Sequence, residues 1–292
     1  MQSISEFRLH IIAFDVPYPP NYGGVIDVYY KIRALSEAGA KVILHCFEYG
    51  RGMPEELSVL CEKVYYYSRQ TGLKAHFSHI PYIVNSRKHP KLLQNLLKDE
   101  APILFEGLHT CSLLSSPALK NRIKIYRESN IEHHYYLQLA RASHNGMQKV
   151  FFIAESIRLK YFQKILEYAS VMCAVSETDT EYLRKHFKGR RVEYLPSFHG
   201  NRNLSCLPGK GTYALYHGKL SVAENTRAAE YLIHEVFCKS SHNLVIAGMD
   251  PPDSLIRLAA KYHNIRLVAS PGKEEMEQLI QDAHIHVMFN LQ

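Results

Sequence analysis

Two adjacent glycines, Gly23 and Gly24, stand where an apolar run ending near Phe14 gives way to an amphipathic stretch from Tyr22 to Ala38. Glycines at a strand-to-helix junction let the backbone approach a ligand closely, and the following helix offers free N–H groups and a positive dipole end to phosphate or sugar hydroxyls. The spacing is not the G-x-G-x-x-G of a dinucleotide loop, so a tight turn and a ligand loop both remain open. His133-His134 and His284-x-His286 have the look of metal ligands. Neither comes with further Cys, His or carboxylate residues at zinc-site spacing, so they read as core or surface histidines and no metal is expected. Six cysteines (Cys46, Cys61, Cys111, Cys173, Cys206 and Cys238) are widely separated. With no CxxC pair among them they read as reduced, mostly buried thiols. The basic runs RKHPK (Arg87 to Lys91) and KGRR (Lys188 to Arg191) read as solvated surface. Without interleaved aromatics they point to anionic membrane phosphates over nucleic acid.

These residues need elements to hold them. Short β-branched runs alternate with amphipathic stretches almost throughout, the pattern of α/β domains built on parallel sheets. Strands are expected at Arg8 to Phe14, Lys41 to Phe47, Lys63 to Tyr67, Ile103 to Glu106, Ile123 to Arg127, Val171 to Ser176 and Val192 to Leu195. Helices are expected at Tyr22 to Ala38, Lys91 to Leu97, Met147 to Glu167 and Glu177 to His186. A Gly-, Asn-, Pro- and Ser-rich segment then reads as a linker, dividing a domain of residues 1–197 from one of 211–292, with 198–210 between them. The second alternation runs through strands Tyr213 to His217, Leu244 to Ala247, Ile265 to Val268 and Ile285 to Phe289. Its helices are Glu224 to Phe237, Asp253 to Tyr262 and Lys273 to Asp282. Doubly wound sheets commonly carry about six strands, so the second domain is expected to be partial.

Composition agrees with folded domains. Hydrophobic residues make up 46% and charged residues 22% of 292, far from the signature of disorder. A formal charge of +7 favours anionic partners. No apolar stretch approaches the roughly 20 residues of a membrane-spanning helix, and the N-terminus lacks the basic start of a signal peptide, so a cytoplasmic protein is expected.

The Gly-Gly turn with its helix and AGAKVILHCF, then FEGLHT, NIEHHYY, AVSETDTEYL, YHGKLSVAENTRAAEYLI and LVIAGMDPPDSL, together resemble the retaining GT-B glycosyltransferases. These enzymes have two Rossmann-like domains, and the group includes mannosyl- and glucosyltransferases. The resemblance implies transfer of a hexose from a UDP- or GDP-linked donor to a glycan or lipid-linked acceptor, with no other cofactor. It implies that Gly23 and Gly24 face the donor phosphates and the acceptor, that His109 lies near the transferred sugar, and that Lys219 pairs with the diphosphate. Glu224-Asn225 stands where many members carry a second phosphate-binding Lys, and the family's E-x7-E motif would fall beyond Gln292. Glu106, Arg127, Asn130 and Glu132 lie near strand ends, where they could line the acceptor cleft or serve as caps and surface pairs. Two alternatives are a truncated, inactive homologue that acts as a binding module and a nucleotide-sugar epimerase on the same fold.

Overall fold

The computed structural model describes residues 7–72, 78–143, 145–201 and 208–288. Cys206, positions 202–207 of the expected linker and position 289 of the last expected strand lie outside them. The chain divides into two compact units, Met1–Gly200 and Asn201–Gln292.

The first unit runs β1 (Arg8–Ala13), α1 (Gly23–Glu37), β2 (Lys41–Glu48), α2 (Glu56–Leu60), β3 (Lys63–Ser68), α3 (Tyr82–Asn85), α4 (Pro90–Leu96), β4 (Ile103–Glu106) and β5 (Lys124–Glu128). It continues through α5 (Glu132–Ala142), α6 (Gly146–Phe162), β6 (Val171–Ala174), α7 (Glu177–His186) and β7 (Arg191–Tyr194). The strands form one parallel sheet in the order β3-β2-β1-β4-β5-β6-β7. Strands buried on both faces read as continuous apolar runs, and β1 shows how the faces divide. Leu9, Ile11 and Ala13 pack with Val28 and Ile32 of α1 and Leu57 of α2. Ile12 points the other way, into a core shared by Phe47, Phe105, Tyr126, Leu96 of α4, Leu159 of α6 and Leu183 of α7.

A polar chain crosses that second core. Asn95 Nδ2 donates to Tyr67 Oη at 2.9 Å, and 2.8 Å contacts then link Tyr67 Oη to His45 Nδ1, His45 Nε2 to His10 Nδ1, and His10 Nε2 to Asp99 Oδ1. The amide can only donate at one end and the carboxylate can only accept at the other, so each neutral imidazole keeps its Nε2–H and accepts at Nδ1. Burial pushes the pKa of His45 down to about 3 and also lowers that of His10, which keeps both rings neutral.

The second unit holds β8 (Tyr213–Lys219), α8 (Ala223–Tyr231), β9 (Asn243–Met249), α9 (Asp253–Ala259), β10 (Ile265–Ala269), α10 (Lys273–Asp282) and β11 (Ile285–His286). Its parallel sheet has the order β10-β9-β8-β11. Ala214, Tyr216 and Ile246 pack on Leu232 and on Leu255 of α9, while Leu215, Val245 and Ala247 face Leu279 of α10.

Several boundaries differ from expectation. The helix expected from Met147 to Glu167 starts where Asn145 caps α6, accepting from the N–H groups of Met147 (3.0 Å) and Gln148 (3.2 Å), but it ends at Phe162 and gives way to a 3-10 turn over Gln163–Tyr168. β6 stops at Ala174, since Ser176 turns its hydroxyl back to the Asp179 N–H at 3.0 Å and caps α7. α8 ends at Tyr231 and passes into a π-turn over Leu232–Val236, so the expected helix to Phe237 does not run as one.

Candidate active site

Strand order reverses between β1 and β4, and open α/β sheets bind ligands at such a switch point, beyond the carboxyl ends of the strands. There the first unit opens a cavity of about 610 Å³. Gly23 and Gly24 of α1 line it, with Glu106 at the end of β4, His109 just beyond, and Asn130 and Glu132 after β5. Phe14, Tyr135, Tyr136 and Phe198 add aromatic surface.

Helix α1 begins at Gly23 without a side-chain cap or an acidic residue in its first turn, so its dipole end is not offset by the helix's own residues. A Cβ on Gly24 would meet the Phe14 ring at 2.7 Å, whereas one on Gly23 would meet nothing within 4 Å. Gly24 therefore lets the helix close against the cavity wall. Gly107 has φ of +70°, and a Cβ there would lie 3.0 Å from His109 Nδ1. That turn, open to glycine alone, leads the chain from β4 into the 3-10 turn Leu108–Leu113 that carries His109.

Glu132 and His109 meet across the cavity with Oε1 and Nδ1 3.7 Å apart, too far for a hydrogen bond. Both atoms are buried, and neither has a hydrogen-bond partner among the described residues. Burial pushes the Glu132 carboxyl up to about 7, against the pull of the nearby Arg87 guanidinium. Burial, followed by the charges of Arg87 and Arg69, holds His109 well below the usual imidazole range. A hydroxyl placed between them would satisfy both. Behind Glu132 lies Glu128, which accepts from Tyr126 Oη at 2.6 Å and is driven well above the carboxylate range by burial and then by repulsion from Glu132.

Glu106 lines the cavity but is already engaged, taking a 2.6 Å bond from Lys31 Nζ. Arg127 is not among the lining residues. Its guanidinium is buried and bonds Asp27 at 3.2 Å and the carbonyls of Leu195 (2.5 Å) and Pro196 (3.1 Å), so it anchors the strand exit after β7 to α1. Asp27 completes the anchor by accepting the Phe198 N–H at 2.6 Å. Arg87 also departs from the expected solvated surface, being buried and donating to the carbonyls of Phe14 (2.6 Å) and Ile83 (2.8 Å). Lys219 ends β8 in the second unit, where its carbonyl accepts from Asn225 Nδ2 at 3.0 Å. Asp27 and Lys31 had a signal in the sequence, an i,i+4 opposite-charge pair at the start of α1. Gly107 and Glu128 had none beyond their place at strand ends.

No protein-family model matches the chain. A Klebsiella pneumoniae protein, described as an uncharacterized 44.6 kDa protein in cps region, is 22% identical over 298 residues, spanning 93% of this chain and 74% of that protein. Among solved structures, Arabidopsis thaliana UGT89C1 complexed with UDP aligns at a TM-score of 0.55 and 14% identity, covering 96% of this chain and 75% of that one. The OtsA apo structure aligns at 0.55 and 10%, covering 98% and 78%. The chain has the GT-B fold. Apo UGT2 of Phytolacca americana shares it at 0.54 and 12% identity, covering 96% and 76%. At such identities the likeness is one of architecture alone.

Proposed function

We propose that the chain is a glycosyltransferase moving a hexose, mannose being one candidate, from a UDP- or GDP-linked donor to a hydroxyl of a glycan or lipid-linked acceptor, with retention at the anomeric carbon. The observation that carries this reading is a pair of buried atoms without a partner among the described residues, Glu132 Oε1 and His109 Nδ1, in an aromatic-walled cavity at the switch point. Sugar rings present vicinal hydroxyls that both donate and accept, along with apolar faces that lie against aromatic rings. UGT89C1, a protein of the same fold, is described in complex with UDP and with UDP-L-rhamnose.

In this reading the first-turn N–H groups of α1 at Gly23 and Gly24 face the donor phosphates. Positive charge grows on the anomeric carbon and negative charge on the departing phosphate, so fixed donors aimed at the phosphate oxygens lower the barrier. The departing phosphate takes the acceptor proton, as the resemblance to retaining GT-B enzymes implies, while Glu132 and His109 hold hydroxyls of the reacting sugar. The test is nucleotide release from UDP-glucose and GDP-mannose with a panel of glycan and polyprenyl-linked acceptors, and the product anomer read by NMR. Acceptor-dependent release that falls in His109→Ala supports the reading. Turnover without any acceptor, or activity indifferent to His109, would sink it.

A further inference from the structure

Helix α6 is buried on one face and apolar on the opposite, exposed one. Its inner face buries Glu155, Ser156 and Leu159, with Phe152 packed edge-on against Tyr136 of the cavity wall. Its outer face should be polar on a surface helix. It carries instead Met147 (83% exposed), Val150 (67%), Ile153 (40%), Ile157 (53%) and Tyr161 (69%). At 100° per residue these five fall within about a third of the helix circumference, a stripe along most of the roughly 25 Å helix. Exposed apolar residues scattered singly need no explanation, but a continuous stripe marks a surface that something covers.

The charges beside the stripe indicate what. Lys149 and Lys160 line one edge of it, Lys164 follows one turn on, and Arg141 ends the neighbouring α5; all four are exposed. Of the acidic residues from α5 to the end of the 3-10 turn after α6, Glu132 is buried in the cavity and Glu155 is buried against Arg158 and the Tyr82 N–H, which leaves only Glu167 at the surface. A second copy of the same face would set these cations against one another. An anionic lipid surface answers both features, since acyl chains accept the stripe and headgroup phosphates accept lysines that reach past it.

We infer that α6, with the end of α5, is a docking surface for an anionic lipid bilayer, lying in the interface plane. Among the described residues no helix is long and apolar enough to cross a membrane, so the contact is peripheral. This inference does not depend on the reaction proposed above, because lipid binding is read without turnover.

The test is co-sedimentation of the full chain with vesicles of phosphatidylcholine alone and with about 30% phosphatidylglycerol, an anionic content that gives a negative surface potential. Wild-type protein should sediment with the anionic vesicles and stay in solution with the neutral ones. Val150→Ser/Ile157→Ser/Tyr161→Ser should weaken binding by at least about tenfold, because interfacial affinity scales with apolar area buried. Lys149→Glu/Lys160→Glu, which leaves the stripe intact, should weaken it comparably and remove its sensitivity to salt. Circular dichroism melts of both variants, matching wild type, show that the fold is kept. Equal binding to both vesicle types, unchanged binding of the lysine variant, or light scattering that shows a dimer lost in the serine variant would overturn the inference, the last by making the stripe a self-association face.

Discussion

Lys31 Nζ donates to Glu106 Oε1 at 2.6 Å with both side chains buried, and a second contact of 3.2 Å runs from the same ammonium to Asp27. Together with Arg127 they place two cations and two carboxylates in one cluster beneath the cavity. Breaking such a cluster leaves a buried charge uncompensated. Lys31→Met is therefore expected to cost about 3–5 kcal/mol of stability, measured by urea denaturation at neutral pH. A loss under about 1 kcal/mol would mean that water replaces the ammonium.

Glu132 makes a prediction about function and stability together. Its carboxyl has a folded pKa raised to about 7, so between the unfolded value and 7 the native state holds the extra proton. Stability contributed by this group thus falls as pH rises through that window, and the full penalty is present above it. Glu132→Gln should stabilise the protein by on the order of 2–3 kcal/mol at pH 8 and leave it nearly unchanged at pH 4. Thermal melts at the two values check this; equal effects at both would show that Glu132 is ionised throughout.

His109→Ala should keep the fold and lower transfer by tenfold or more, since one lost hydrogen bond to a reacting group costs on the order of 2–4 kcal/mol. Steady-state kinetics decide, with the far-ultraviolet spectrum as the folding control.

The Asn95–Tyr67–His45–His10–Asp99 chain predicts acid sensitivity. Both imidazoles have folded pKa values below the unfolded one, so the unfolded state binds the extra protons and stability drops as pH falls below about 6.5. For His45 the loss continues toward a pH of about 3. Between pH 6 and 4.5, His45→Gln should flatten the slope of unfolding free energy against pH by about 1.4 kcal/mol per unit. An unchanged slope would place the acid lability elsewhere.

Gly107→Ala should cost about 1–3 kcal/mol from backbone strain at positive φ. Its Cβ would also crowd His109, so transfer should fall further than stability alone explains. Kinetics at a temperature where the variant is fully folded separate the two effects.

Strands such as β1 and β4 were legible because a sheet covered on both faces demands β-branched apolar runs, and HIIA and ILFE supply them. Gly23, Gly24, Asn130 and Glu132 were reachable from their places in the segments that follow strands, whereas His109 was reached through the family resemblance. Arg127 and Arg87 were read as cleft or surface residues because a sequence shows charge and not its partners. Arg127 is held by the carbonyls of Leu195 and Pro196 and Arg87 by that of Phe14, contacts from distant segments that exist only once the sheet has formed. The end of α6 was hidden because the helical apolar spacing of Leu159, Phe162 and Leu166 runs on into the 3-10 turn.

The buried relay through β1, β2 and β3 has a consequence for how these strands find one another. Parallel strands that are apolar on both faces can slide by two residues and still bury the same kinds of side chain, so hydrophobic pattern alone separates neighbouring alignments poorly. His10, His45 and Tyr67 break that degeneracy. They hydrogen-bond only when Ile12 pairs with His45 and His45 with Tyr65, the alignment observed. A two-residue slip would strand several polar atoms in an apolar layer, at a cost of about 1–3 kcal/mol for each. Three polar side chains thus act as an address code for one edge of the sheet, rejecting misaligned pairings that oily neighbours would accept.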